Sequence, residues 1–390
     1  MTAAIPRAPI GVSLANWRTE PFSQWSFSHV SELIPSAVIA HDPWHIVGMT
    51  EVAAEIDTLA YRTKTGEPGT IASMLANSST DGFLVIHRGC IVAERYMGHL
   101  DRHRPHIFFS VSKSITGSLA GVLVESGQLD VQATLSYYLP ELAGSAYANA
   151  SVRDLLDMTV AIDFEEAYLD PDSDFMRYRR AIGWNPVPPL SDPSDLRSFL
   201  SSTRRGDGPH GHRYHYVSPN SDLLGLVMER VAGTRFADLL SEQIWRRIGA
   251  EMPAQITLDR LGAPRAAGGI SATLRDLGRF GEMMRQGGRS HGQQVVPQAW
   301  MDDIIENGDA SAWQRGGMSG FIENGRYRSN WYILDKQRGS FCAIGIHGQW
   351  LYIDRRSEVV IVKLSCQPKP EDDETDRHVL AAFDAISTQL

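Results

Sequence analysis

The feature that most constrains this chain is the placement of its strand-like segments, which lie at the two ends of 390 residues. Near the start, residues 83–87 and 90–96 are apolar and β-branched and meet at Arg88-Gly89, which reads as a two-residue hairpin. After about residue 325 four more runs follow: Trp331-Tyr332-Ile333-Leu334, residues 341–346, Trp350-Leu351-Tyr352-Ile353 and Val359-Val360-Ile361-Val362. The intervening stretch has helical periodicity instead. Residues 111–126 carry Ile115, Leu119, Val122 and Leu123 on one stripe and stop at Gly127. Ser151 with Asp154 reads as a capped helix start, and helical segments follow at 220–232 before Gly233, at 234–247 and at 273–286. Residues 51–65 also read as a helix, and 373–388 as an amphipathic one with Val379, Leu380, Phe383 and Ile386 on its apolar face.

Strands cannot leave their backbone groups unpaired, so strands at both ends with helices between them predict one antiparallel sheet built from the two ends. The expected class is α+β, an α/β sandwich lobe with an all-helical lobe inserted. The expected divisions are a wrapping segment over 1–50, an α/β domain over 51–109 and 288–390, and a helical domain over 110–287. Within the last, 165–215 is rich in Asp, Pro, Arg and Ser without periodicity, the mark of a lid or binding surface.

A net charge of −9 and a pI near 5.8 argue against nucleic acid or an anionic membrane as partner. No apolar run approaches the ~20 residues that span a bilayer, and the first residues lack the apolar core of a signal peptide. Cys90, Cys342 and Cys366 have no metal-type spacing and suit isolated thiols in a reducing compartment, so a cytoplasmic location is expected.

The chemistry-bearing motif opens the 111–126 helix. Ser110 and Lys113 stand three residues apart, which places both side chains on one helical face. The helix start adds unpaired N–H groups beside the serine oxygen. A base and oxyanion donors are what a nucleophilic serine requires. Lysine suits the base role because desolvation can neutralise it, which a guanidinium resists. Of the five lysines, only Lys113 has a serine three positions before it.

Ser110-Val111-Ser112-Lys113, opening a helix after an early hairpin, resembles the serine β-lactamase and penicillin-binding-protein superfamily. It is most similar there to class C-like carboxylesterases and nylon-oligomer (6-aminohexanoate-dimer) hydrolases. The resemblance extends to residues 25–27, to Leu33-Ile34-Pro35 and to Gly268-Gly269 leading into 270–277. It implies that Tyr216, in Tyr216-Val217-Ser218-Pro219-Asn220, accepts or relays the serine proton and later protonates the leaving group. A phenol held near an ammonium would favour its phenolate. Ser218 stands where related enzymes often carry asparagine, with Asn220 two residues later.

The usual Lys-Thr-Gly strand is replaced by residues 345–350, Gly-Ile-His-Gly-Gln-Trp, so the cationic partner of a β-lactam carboxylate is missing. There the Ile346 N–H is expected to form the oxyanion hole with the Ser110 N–H, and His347 and Gly348 to bind substrate with Asn220. Tyr168 matches a tyrosine that contacts the substrate amide in nylon-oligomer hydrolases. Arg177-Tyr178-Arg179-Arg180 would attract an acidic group or form a solvated face.

The resulting expectation is a serine hydrolase cleaving carboxylic esters or linear amides, 6-aminohexanoate oligomers among them, through an acyl-enzyme on Ser110. It would need no cofactor and no metal and act on a small molecule, with a homodimer left open. Two alternatives accompany it. A binding or sensor protein of the same fold would acylate without turnover, and His210, His212 and His215 would be the candidates for a metal-dependent hydrolase. Gly317-Met318-Ser319-Gly320 lacks the spacing of an α/β-hydrolase nucleophile elbow.

Overall fold

The turn at Arg88-Gly89 forms, and both residues take positive φ (51° and 79°), as a tight two-residue hairpin of mirror-image type requires. It joins strands Thr80–His87 and Cys90–Tyr96 in a computed structural model that describes residues 8–189, 191 and 194–390. Strand Val359–Ser365 returns from the far end of the chain and pairs antiparallel with Thr80–His87, placing Ile361 opposite Val85. The sheet then continues outward through Gln349–Asp354, Ser340–Gly345, Trp331–Asp335 and Arg326–Arg328, seven antiparallel strands in all. The two chain ends therefore share one sheet, as the pattern of segments requires.

Alternation along the central strands sorts their side chains onto two faces. Phe83, Val85 and Ile361 pack with Val379, Phe383 and Ile386 of the final helix, Asp373–Gln389. Leu84, Ile86, Val360 and Val362 face the other way, with Leu277 and Phe280 of helix Leu274–Arg285 and Leu119 of helix Val111–Glu125. Gly278 and Gly281 permit the close helix–sheet approach, since a Cβ would stand 2.5 Å from Leu84 and 2.6 Å from Val360. Because both faces are covered, every residue of Val359–Ser365 is buried.

Three expectations change. Residues 51–65 are not a helix: Glu51 bridges Ile91, the Val52 and Ala54 N–H groups donate to Ile91 and Val92, and Ala60–Arg62 pairs with Pro68–Thr70. Backbone groups left open at the sheet edge outweigh a weak helical pattern there. The middle of the chain is not all-helical either. Ala254–Thr257 and Ile270–Ala272 form a second, four-stranded sheet with Ser36–Ile39 and His106–Ile107. The aperiodic stretch carries helices Asp174–Ala181 and Leu196–Ser201. No helix among the described residues is long and apolar enough to cross a membrane.

Candidate active site

Helix Val111–Glu125 begins where the strand His106–Ile107 ends, and Phe109 between them is held at φ 44°. Left-handed backbone at a bulky residue costs about 1–2 kcal/mol and persists only where packing over-determines it. Here the Phe109 ring is caged by Trp17, Phe27, Trp184 and His347, with ring centroids 4.9–6.1 Å away. The N-terminal segment supplies two walls of that cage and is tied down by Ile107 N–H donating to the Phe27 carbonyl (2.8 Å). This turn delivers Ser110 to the N-cap of the helix.

Lys113 follows one turn later and is 1% exposed. Its Nζ lies 2.8 Å from Ser110 Oγ, 2.9 Å from Ser218 Oγ and 2.9 Å from the Ala267 carbonyl. Burial pulls its ammonium down to about 7, and Arg265 adds to the effect while Glu166 and Asp222 oppose it. Ser218 opens helix Ser218–Ala232, which places its hydroxyl toward the lysine. Ala267 is fixed from the opposite side, because its N–H donates to Asp222 Oδ1 (2.7 Å). Asp222 in turn accepts from Tyr178 and from Arg265 (2.6 Å), a buried cluster that holds the carbonyl against Lys113.

Tyr216 completes the group. Lys113 Nζ stands 4.8 Å from its ring centroid, which sets Tyr216 beside the Ser110–Lys113 pair. The phenolate expected beside an ammonium does not follow from this arrangement. Burial, together with the charge of Glu166, pushes the phenol well above its ordinary range, which favours its protonated form. On the other flank, a Cβ at Gly345 would stand 2.6 Å from the Phe108 carbonyl and 3.1 Å from Ser110 N. Only glycine lets the strand approach that closely, and it brings Ile346 to the cleft wall. Neither the Ser110 nor the Ile346 N–H enters a backbone hydrogen bond among the described residues.

The cleft in front of Ser110 is narrow, and its lining includes Tyr168, Glu166, Ser218, Ile346, Arg18 and Arg179. Tyr168 stands in that lining with its hydroxyl donating to Glu166. Three other candidate substrate contacts lie elsewhere. Asn220 is 0% exposed and accepts from the Tyr147 hydroxyl (3.1 Å), two helical positions past the residue that faces Lys113. Ser218 takes that place. His347 is buried against Phe27 and Phe109, with Nδ1 2.7 Å from the Gln367 carbonyl, and burial pulls its pKa down to about 4. It is a neutral support for the hairpin. Gly348, at φ 83°, makes that hairpin's turn against Gln367.

Glu166 is the residue that sequence reasoning passes over. It accepts from the Ser218 N–H and the Tyr168 hydroxyl, yet in sequence it is one acid in an acidic loop. The histidines serve other ends: the Ala161 N–H donates to His210 Nδ1 (3.0 Å), and His215 Nε2 lies 3.5 Å from Glu165. No group of three or more His, Cys, Asp or Glu among the described residues is arranged to hold a metal.

A helix-borne serine beside a buried lysine, in a cleft between a helical layer and an antiparallel sheet, defines a serine hydrolase of the β-lactamase fold. The chain belongs to the β-lactamase family, whose profile matches residues 70–385. It is 37% identical over 371 residues to the 6-aminohexanoate-dimer hydrolase of Paenarthrobacter ureafaciens, covering 95% of this chain and 92% of that one. A Bacillus anthracis structure provisionally named as a 6-aminohexanoate-dimer hydrolase superposes with a TM-score of 0.89 at 25% identity over 98% of both chains. A family VIII carboxylesterase (TM-score 0.60, 16% identity, 87% of this chain and 100% of that one) shares the fold.

Proposed function

We propose that this enzyme hydrolyses carboxylic esters and linear amides by acylation of Ser110. The observation that carries the reading is the Lys113 amine, buried and within 2.8 Å of the Ser110 hydroxyl. With a pKa near 7, a large fraction is neutral at neutral pH and accepts the serine proton as Oγ attacks the carbonyl. The oxyanion is held by the N–H groups of Ser110 and Ile346. As the tetrahedral intermediate collapses, Tyr216 gives its proton to the departing oxygen or nitrogen and is replenished from the Lys113 ammonium. Water then attacks the acyl-enzyme with the same groups acting in reverse, which releases the acid and restores Ser110.

The likeness to the Paenarthrobacter enzyme makes 6-aminohexanoate oligomers the narrower substrate candidate. The Lys-Thr-Gly cation is absent from the strand, which argues against β-lactams. The test is steady-state hydrolysis of p-nitrophenyl butyrate and of 6-aminohexanoate dimer by the parent and by Ser110→Ala. Ester turnover that vanishes in the variant supports the reading, and turnover that survives in it removes Ser110 as nucleophile.

A further inference from the structure

Of the four consecutive residues Arg177 to Arg180, only some face water. Arg177 is exposed and pairs with Asp174 (2.7 Å), the ordinary fate of a charged helix surface. Arg179, two positions on, is 8% exposed and lines the same cleft as Ser110. Its guanidinium lies over the Phe175 ring (4.5 Å), and Nη1 donates to the Tyr168 carbonyl (3.1 Å). Arg18 reaches the cleft from the N-terminal segment. It is stacked over Trp17 (4.8 Å), and its donors go to the Trp184 carbonyl (3.1 Å) and the Asn185 side chain. Among the described residues neither Arg18 nor Arg179 has a carboxylate within ion-pair distance.

The other charges in the cleft are already committed. Arg265 is bound to Asp222, and Glu166 accepts from Ser218 and Tyr168. Two guanidiniums held beside aromatic rings, with Glu166 offsetting Arg179 only from beyond ion-pair distance, form an arrangement that an anion would stabilise. Their mutual repulsion, with that of Arg265, depresses Arg18 further after burial. Ser110, Arg18 and Arg179 line one cleft, so a single molecule can meet the serine and the arginines together.

We propose that Arg179 and Arg18 form a carboxylate subsite, so that the preferred substrates are esters or amides carrying a free carboxylate. This rests on Ser110 as nucleophile and adds the substrate's charge. The carboxylate docks by charge-assisted hydrogen bonds on Arg179 while the scissile carbonyl sits at Ser110, and a substrate with an ammonium in that place is repelled.

The test compares kcat/KM for p-nitrophenyl butyrate with p-nitrophenyl hydrogen adipate, which carries the carboxylate on the acyl side. A second pair, phenyl butyrate and 4-(butyryloxy)benzoate, carries it on the leaving group. The parent should favour the carboxylated member of at least one pair about 10- to 100-fold, and the pair that responds identifies the side. Arg179→Met should collapse that ratio toward one, chiefly through KM. Arg179→Lys should restore part of it, and Arg177→Met should leave it intact. Should Arg179→Met fail to fold, inhibition of the parent serves: adipate should compete with butyrate ester, and 1,6-hexanediol and 1,6-diaminohexane should not. A parent ratio of one or below in both pairs, or equal inhibition by all three compounds, overturns the subsite. Ester turnover that persists in Ser110→Ala overturns the nucleophile instead, so the two failures are distinguishable.

Discussion

Among the described residues two buried lysines bond serine hydroxyls, and the contrast between them identifies what a catalytic pair requires. Lys113 lies 2.8 Å from Ser110 Oγ, and Lys363, 0% exposed in the middle of the large sheet, bonds Ser365. Burial pulls both lysines down, to about 7 and about 8. By pKa and partner alone they are nearly equivalent. Their surroundings are not. Ser365 is sealed, with its N–H on Gln349 Oε1 (3.1 Å) and its carbonyl accepting from Gln349 Nε2 (2.7 Å). Lys363 donates its remaining bond to the Ser78 carbonyl (3.3 Å). Ser110 starts a helix, its N–H stands beside Gly345, and it opens on a cleft. A neutralised lysine is a by-product of burial; a nucleophile also needs access and oxyanion donors.

The largest effect should separate the serines. Ser110→Ala should lower kcat/KM for p-nitrophenyl butyrate by at least about 10⁴-fold, whereas Ser365→Ala should stay within about threefold of the parent. Next come the lysines. Lys113→Met should cost about 10³-fold in the rate of acylation followed by stopped flow. Lys363→Met should leave kcat/KM near the parent value and register only in the denaturation midpoint, by about 1–3 kcal/mol through the orphaned Ser78 carbonyl and Ser365 hydroxyl. Tyr216→Phe should weaken amide hydrolysis about 10²-fold and that of activated nitrophenyl esters far less, because a nitrophenolate leaves without a proton. Equal losses on both would sink its leaving-group role.

The smallest effect is the pH profile. Because the neutral amine is the active form of Lys113, kcat/KM should rise with pH through about 7. It should fall about tenfold per unit below that. A profile flat between pH 5 and 9 would mean that Lys363 and Lys113 are equally idle.

What was legible in the sequence is what local pattern encodes. Alternation marked the central strands, Gly127 and Gly233 marked helix ends, and the three-residue spacing put Ser110 and Lys113 on one face, as their 2.8 Å contact requires. The choice between Ser218 and Asn220 was not legible, because it depends on how helix Ser218–Ala232 is rotated against Val111–Glu125. Nor were Glu166, Asp222 and Arg265, whose roles exist only once burial withdraws water from their charges. Arg179 and Arg177 read alike in sequence, yet one enters the cleft and the other a surface ion pair. Residues 51–65 are extended because their backbone finds partners outside the segment, the open edge of Cys90–Tyr96 for residues 51–54 and Pro68–Thr70 for Ala60–Arg62.

The central claim, that Ser110 rather than any other serine carries the acyl group, is tested most directly by covalent trapping. The parent would be exposed briefly to a fluorophosphonate, weighed intact and mapped by peptide mass spectrometry. The account predicts one adduct per chain, on the peptide containing Ser110, absent from Ser110→Ala and lost in parallel with ester hydrolysis. An adduct on another residue, or full inactivation with Ser110 unmodified, would contradict it.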